Sequence, residues 1–400
     1  MLRQRKATYM SKIKGTVSVF SNSPGQPTGY GIASEALIQR LKRDGADVAA
    51  ISNYGNEGIK TEFATEYGDV PVYPRGSDVY SNDSAILGHK HWRALNEKQP
   101  DLIITLYDVW VFQGKGWDGL NVASWTPIDH SPVPPAVAKW SAKENVTPLA
   151  MSKFGQKELE SKGIDSIYIP HSIDTKIFNR KEKIAGQSIE DYMGFGNDRF
   201  VVGMNAANKS GGIIHRKAFG ENLMAFSIFV KKHPDAILYI HTDPVSPHGW
   251  NLMGLGEILG IPKDNMVFVD PVSYRFGISQ EDLAGIYSSW DVMLATSYGE
   301  GFGIPTVEAQ ACGVPVIVSD FAASAELVGE GWTVGGQPLY DNSQGSFFTI
   351  PSVPLIVQAL EEAYERGKGK SDKAIEFAQA YDHDVVWDKH WRPALKKLLK

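Results

Sequence analysis

The sequence predicts an α/β protein of two doubly wound, Rossmann-like domains. Three observations lead to that class. Short apolar runs of strand length alternate with helical patterns along the chain, the mark of parallel sheets covered on both faces. The alternating series occurs twice, on either side of the polar stretch NRKEKIAGQSIEDYMGFGNDR at 179–199. The 400 residues also exceed the roughly 250–300 at which a single core stops growing.

In chain order, the first series places strands at TVSVF (16–20), DVAAIS (47–52), DLIITLY (101–107), NVASW (121–125), TPLAMS (147–152) and IYIP (167–170). Between the first two lies GIASEALIQRLKRDG, where Ile32, Ala36, Leu37 and Leu41 share one helical face and Gly45 supplies a stop. The second series places strands at FVVGMNA (200–206), AILYIH (236–241), MVFV (266–269), VMLAT (292–296) and VPVIVS (314–319). Three helical segments follow: PLIVQALEEAYERG, SDKAIEFAQAY and DVVWDKHWRPALKKLLK. In the last, Trp387 and Trp391 are four apart on one face and read as packing residues. The division expected is an N-terminal domain at 1–190, a second domain at 191–375 and a C-terminal helical segment at 376–400.

Composition narrows the function classes. A chain 42% hydrophobic and 22% charged is ordinary globular material. Its net charge of −6 argues against a dedicated nucleic-acid binder. One cysteine, Cys312, allows no disulfide within the chain and suits a reducing compartment. The leader MLRQRKATYMSKIKG is basic but lacks the apolar core of a signal peptide. It reads either as a solvated end or as a contact for an anionic acceptor or lipid surface. With no run of membrane-spanning length, a cytoplasmic location is expected, with peripheral membrane contact left open.

Ligands of open parallel sheets sit beyond the carboxyl ends of the strands, so the loops there carry the chemistry. After the first strand, SNSPGQPTGYGIASEAL enters a helix. Gly29 and Gly31 would let the backbone approach an anion at the helix N-terminus, although a simple turn also fits. TPIDHSPVPPAV carries His130, able to bond a hydroxyl or move a proton near neutral pH, although a structural role also fits a lone histidine. ANKSGGIIHRKAFGENLMAF sets Arg216 and Lys217 at a helix start, with Lys209 in the same loop. Cations oppose the helix dipole there, and make sense if a diphosphate is held between them. TSYGEGFGIPTVEAQACGVPVIVSD has Glu300 in a glycine loop, Pro305 at a helix start and Glu308 on the helix, with seven residues between the acids. Two ionised carboxylates only accept hydrogen bonds, which suits the hydroxyl pairs of a polyol.

EGFGIPTVEAQACGVPVIVSD resembles the E-x7-E segment of retaining, nucleotide-sugar-dependent glycosyltransferases of GT-B fold, family 4 especially. MSKFGQKELESKGIDSIYIPHSIDTKIF, RKAFGENLMAFSIFVKKHPDAILYIH and GYGIASEALIQRLKRDGADVAAIS are similar to further parts of that family, in order. The resemblance implies two domains facing across a cleft, with the acceptor against the N-terminal domain, the donor nucleotide in the second, and C-terminal helices crossing back. Glu308 would bind the donor ribose. Glu300 with the amides of Gly301, Phe302, Gly303 and Ile304 would hold the transferred sugar and diphosphate. Lys217 with Arg216 would neutralise the diphosphate, Gly29 and Gly31 would face the donor, and His130 would approach the sugar or acceptor. The arginine that the family often carries five residues before the lysine falls at Gly212 here, which leaves Arg216 or Lys209 for that task.

The reaction implied is front-face transfer from a nucleoside diphosphate sugar to an acceptor hydroxyl, with retention and without a metal or other cofactor. Family frequency favours a uridine diphosphate sugar, with the base read near VSYRF (272–276). The acceptor stays open among a glycan, a lipid-linked glycan, a small molecule, a protein and a modified nucleic-acid base. Segments 51–74 and 107–119, including Trp110 and Trp117, are candidate acceptor walls. The DHD at 382–384 reads as a helix cap. A non-catalytic sugar-nucleotide binder, or an epimerase or phosphorylase of the same fold, is the alternative.

Overall fold

A computed structural model describes residues 13–96, 98–112, 114–196, 198–210 and 214–399. The basic leader up to residue 12, and Gly212, lie outside them.

The first sheet is built from β1 (Thr16–Asn22), β2 (Asp47–Tyr54), β3 (Thr61–Phe63), β4 (Val70–Tyr73), β5 (Leu102–Leu106), β6 (Val122–Thr126), β7 (Val146–Ala150) and β8 (Ile167–Tyr168). Its order is β3-β4-β2-β1-β5-β6-β7-β8. Every pair is parallel except β3 on β4. β1 is buried at all seven positions, as an inner strand covered on both faces must be. The helix Gly29–Arg43 follows it, capped by Thr28, whose hydroxyl accepts from the Gly31 amide at 3.0 Å.

A polar linker holds the small antiparallel pair β9 (Lys183–Ile184) and β10 (Gln187–Ser188). The second sheet then runs β13-β12-β11-β14-β15-β16, parallel throughout. Its strands are β11 (Phe200–Asn205), β12 (Ala236–His241), β13 (Met266–Phe268), β14 (Val292–Ala295), β15 (Val316–Ser319) and β16 (Gly331–Val334). In both sheets the chain reverses its winding beside the innermost strand, at β1 and at β11, which is where doubly wound sheets bind ligands. This is the α/β architecture of two Rossmann-like units.

Three features go beyond the sequence expectation. Part of the 51–74 stretch forms β3 and β4 at the sheet edge, and none of its residues lines the cavity described below. β16 extends the second sheet. After it, β17 (Gly336–Asp341) and β18 (Ser346–Pro351) form an antiparallel hairpin that reaches the other half. There the Ser131 amide donates to the Phe347 carbonyl at 3.1 Å, and the Ser346 hydroxyl donates to the Pro132 carbonyl.

The C-terminal helices return to the first sheet. Asp44, at the end of the first helix, accepts from Trp387 Nε1 and from Arg392 Nε, each at 2.7 Å. Asp384 takes Arg40 and Arg43, and Asn121 donates to the Leu398 carbonyl at 2.8 Å. Trp387 and Trp391 are buried, as packing residues should be. Asp382 caps its helix through the Asp384 amide and also accepts from the Thr175 hydroxyl.

Candidate functional site

The carboxyl ends of the two sheets face a shared cavity of about 570 Å³. Its N-terminal wall comes from the loops after β1, β4, β5 and β6, with Met151 after β7 and His171 after β8, and its C-terminal wall from the loops after β11 and β14.

On the C-terminal wall, Glu300 is the centre. Its carboxylate accepts from Lys217 Nζ at 2.6 Å and from Arg216 at 2.9 Å. Burial alone would raise this carboxyl; Arg216 and Lys217 overcome it and hold the group down to about 2. The backbone fixes the cations as well. Tyr298 donates its amide to the Arg216 carbonyl at 2.8 Å, and Arg216 reaches the Gly299 carbonyl. Ala218 takes a left-handed φ of 50°, turning the chain into the helix Phe219–Phe229 directly after the two cations. Lys209 lines the same cavity.

Gly301, Phe302, Gly303 and Ile304 also line it. Gly303 has φ 119° at the cap of the helix Ile304–Ala311, a conformation that L side chains rarely adopt. Two glycines allow the halves to meet. A Cβ on Gly299 would lie 2.1 Å from the Asp129 carbonyl oxygen, and one on Gly301 would lie 2.5 Å from Pro127 Cβ. Opposite, Gly29 lines the cavity. Gly31 does not line it: a Cβ there would meet the Gln26 carbonyl oxygen at 2.3 Å, so its role is the tight turn rather than approach to a ligand.

Glu308 is buried and stands behind the cavity wall rather than on it. It accepts from the Tyr287 hydroxyl at 2.8 Å, and that hydroxyl accepts from Asn205, which does line the cavity. Burial raises the Glu308 carboxyl from 4.5 to about 7, with Tyr287 opposing. The folded state therefore holds this proton more tightly than the unfolded chain. The associated stability is complete below 4.5 and lost as pH rises through about 7, a shift worth about 3 kcal/mol. Glu308→Gln should accordingly melt higher than the wild type at pH 8.5 and close to it at pH 5. Melts of both proteins at the two pH values check this.

His130 is not on the cavity wall. Its Nδ1 is 2.7 Å from Asp129, its Nε2 is 3.3 Å from Asp341, and its ring lies 3.7 Å from that of Phe348. The β17–β18 hairpin therefore holds it as a bridge between the halves, and the neighbouring Asp129 faces the cavity. Trp117 is likewise corrected. It is buried against Phe112 and Trp140 and donates to Asn82 at 2.6 Å, so it cannot touch an acceptor. Trp110, 47% exposed, lines the cavity. Of the 272–276 stretch, no residue does.

The sequence reading passed over Asp108 and Asp129, which line the N-terminal wall. Each follows a strand at its carboxyl end, a position that could have singled them out.

Among the described residues no helix is long and apolar enough to cross a membrane. Residues 270–379 match the family model "Glycosyl transferases group 1". A D-inositol 3-phosphate glycosyltransferase of Streptomyces scabiei is 30% identical over 135 residues, covering 32% of this chain and 30% of that protein. The match to this curated relative thus spans about a third of either sequence. Sucrose-phosphate synthase from Thermosynechococcus elongatus superposes with a TM-score of 0.70 at 17% identity, over 96% of this chain and 98% of the other. A trehalose-6-phosphate protein from E. coli, solved with UDP-2-fluoro glucose, gives 0.64 at 12% identity, over 96% and 99%. Residues 270–379 thus carry a glycosyl transferases group 1 segment, and the chain as a whole shares its fold with these solved structures.

Proposed function

We propose that this protein moves a sugar from a nucleoside diphosphate sugar, a uridine diphosphate sugar first, to an acceptor hydroxyl, with retention at the anomeric carbon. The observation that carries the reading is the meeting of Arg216, Lys217 and Glu300 with the 301–304 loop on one cavity wall. As the glycosyl bond breaks, negative charge grows on the diphosphate. Two cations placed by donor binding would stabilise it without further reorganisation in the transfer step. They also supply the positive charge that a metal would otherwise bring, which supports a metal-independent reaction. In the free protein Glu300 occupies both cations. Donor binding would exchange that pairing for the diphosphate and turn the carboxylate toward the sugar hydroxyls. Glu308 would reach the ribose from behind the wall, beside Asn205 and Tyr287. The N-terminal wall would hold the acceptor, and a closed cavity would keep out water that otherwise hydrolyses the donor.

The fold neighbour holding UDP-2-fluoro glucose supports a uridine donor. A panel of nucleoside diphosphate sugars tests the reading, followed by thermal shift and by nucleoside diphosphate release. One donor should stabilise the protein and be slowly hydrolysed. Absence of any shift or release across the panel, in a folded sample, would refute the donor assignment.

A further inference from the structure

The N-terminal wall has its own chemistry. Among the described residues that line the cavity, that half contributes two carboxylates, Asp108 and Asp129, and no lysine or arginine. The cations there, Lys209, Arg216 and Lys217, all come from the other half; two of them meet Glu300, and Arg216 also lies 3.8 Å from Asp129, which leaves Asp108 as the wall's carboxylate without an ion-pair contact at that range among the described residues. His171, which also lines the cavity, is held neutral by burial, its pKa pushed down to about 3. The N-terminal wall therefore presents negative and neutral groups only.

The rest of that wall is aromatic. Tyr30 and Tyr80 flank Tyr107, with ring centroids 5.3 and 5.7 Å away, and Trp110 stands 6.0 Å from Tyr80. Tyr80 and Trp110 are 41% and 47% exposed, so their faces are open to a ligand. Tyr80 has φ 58°, a left-handed conformation that costs a bulky residue and persists only where its surroundings impose it. Here the Tyr80 amide donates to Asn53 Oδ1 at 2.9 Å, which fixes the ring beside Trp110. Asp108 sits under this wall, 3.5 Å from the Tyr30 hydroxyl. Burial, with Asp129 nearby, raises its carboxyl to about 6, against the pull of Arg216.

We infer that this wall takes an uncharged, hydroxyl-rich acceptor, a saccharide or polyol, and discriminates against phosphorylated sugars. The carboxylates accept hydrogen bonds from hydroxyls and repel a phosphate monoester, while flat aromatic faces pack against the apolar face of a sugar ring. The inference rests on the donor-transfer reading above and adds the acceptor class to it.

The test follows nucleoside diphosphate release by the full chain from the donor that the panel selects. Glucose and myo-inositol are compared with glucose 6-phosphate and inositol 3-phosphate. At least one neutral compound should raise release tenfold or more over the acceptor-free rate, with its phosphorylated counterpart at least tenfold poorer in kcat/KM. Asp108→Asn should narrow that gap at least tenfold. Trp110→Ala should raise KM for the neutral acceptor at least fivefold and leave KM for the donor unchanged. Equal or better use of the phosphorylated compounds overturns the inference. So does the lack of acceleration by every neutral compound while acceptor-free donor hydrolysis continues. Absence of donor binding and hydrolysis would instead defeat the donor reading itself, so the two failures are told apart.

Discussion

Replacing Lys217 with alanine is expected to lower kcat/KM for the donor by about 10²–10³-fold, while the thermal melt stays near that of the wild type. The loss corresponds to one preorganised charge aimed at the leaving group, typically about 2.7–4 kcal/mol of barrier. The fold is expected to tolerate the change because Glu300 keeps Arg216 at 2.9 Å, so the carboxylate is not left unpaired. The pair is also partly open to solvent, with the Lys217 side chain 24% exposed, which limits its contribution to stability. Steady-state kinetics alongside a melt decide the matter. A variant within threefold of wild-type kcat/KM would remove Lys217 from the diphosphate site.

Gly299→Ala is expected to cost about 100-fold in kcat/KM and about 1–3 kcal/mol in stability. The new methyl would meet the Asp129 carbonyl oxygen at 2.1 Å, and neither partner is a flexible side-chain end. The clash is between the halves, so relief comes from separating the 127–132 loop from the Glu300 loop. That shift would move Asp129 away from the wall that carries Glu300. Gly335→Ala is the control. A Cβ there meets only Leu355 Cδ1 at 3.8 Å, an ordinary contact, and should leave activity unchanged. Equal kinetics for Gly299→Ala and Gly335→Ala would show that close approach of the two loops is not required for transfer.

Both expectations depend on contacts far apart in the chain. The eleven strands read in the sequence recur in the structure with small changes at their ends, because their signal is local. Apolar runs such as TVSVF and AILYIH become inner strands buried on both faces, and that burial is written in each short stretch by itself. The cap at Thr28, the glycine turn at Gly303 and the cations before Phe219 are local too. Short or polar strands were not legible this way. β3 and β17 lack a buried apolar face, and β17 is held by pairing with β18 and by the other half of the chain.

The site divided along the same line. Glycines, prolines and acids at strand ends marked the 296–320 region from sequence, since turn chemistry and helix starts need particular residues at particular places. Tertiary structure alone decided that Glu300 meets Arg216 and Lys217, more than 80 positions earlier in the chain. It turned His130 into a bridge to Asp341 and left Asp129 on the wall. It buried Trp117 while Trp110, seven residues away, stayed at the cavity edge. The physical reason is common to all three. Local pattern sets which backbone shape a segment adopts, but the direction and charge partner of a side chain depend on what the other half of the molecule brings to face it.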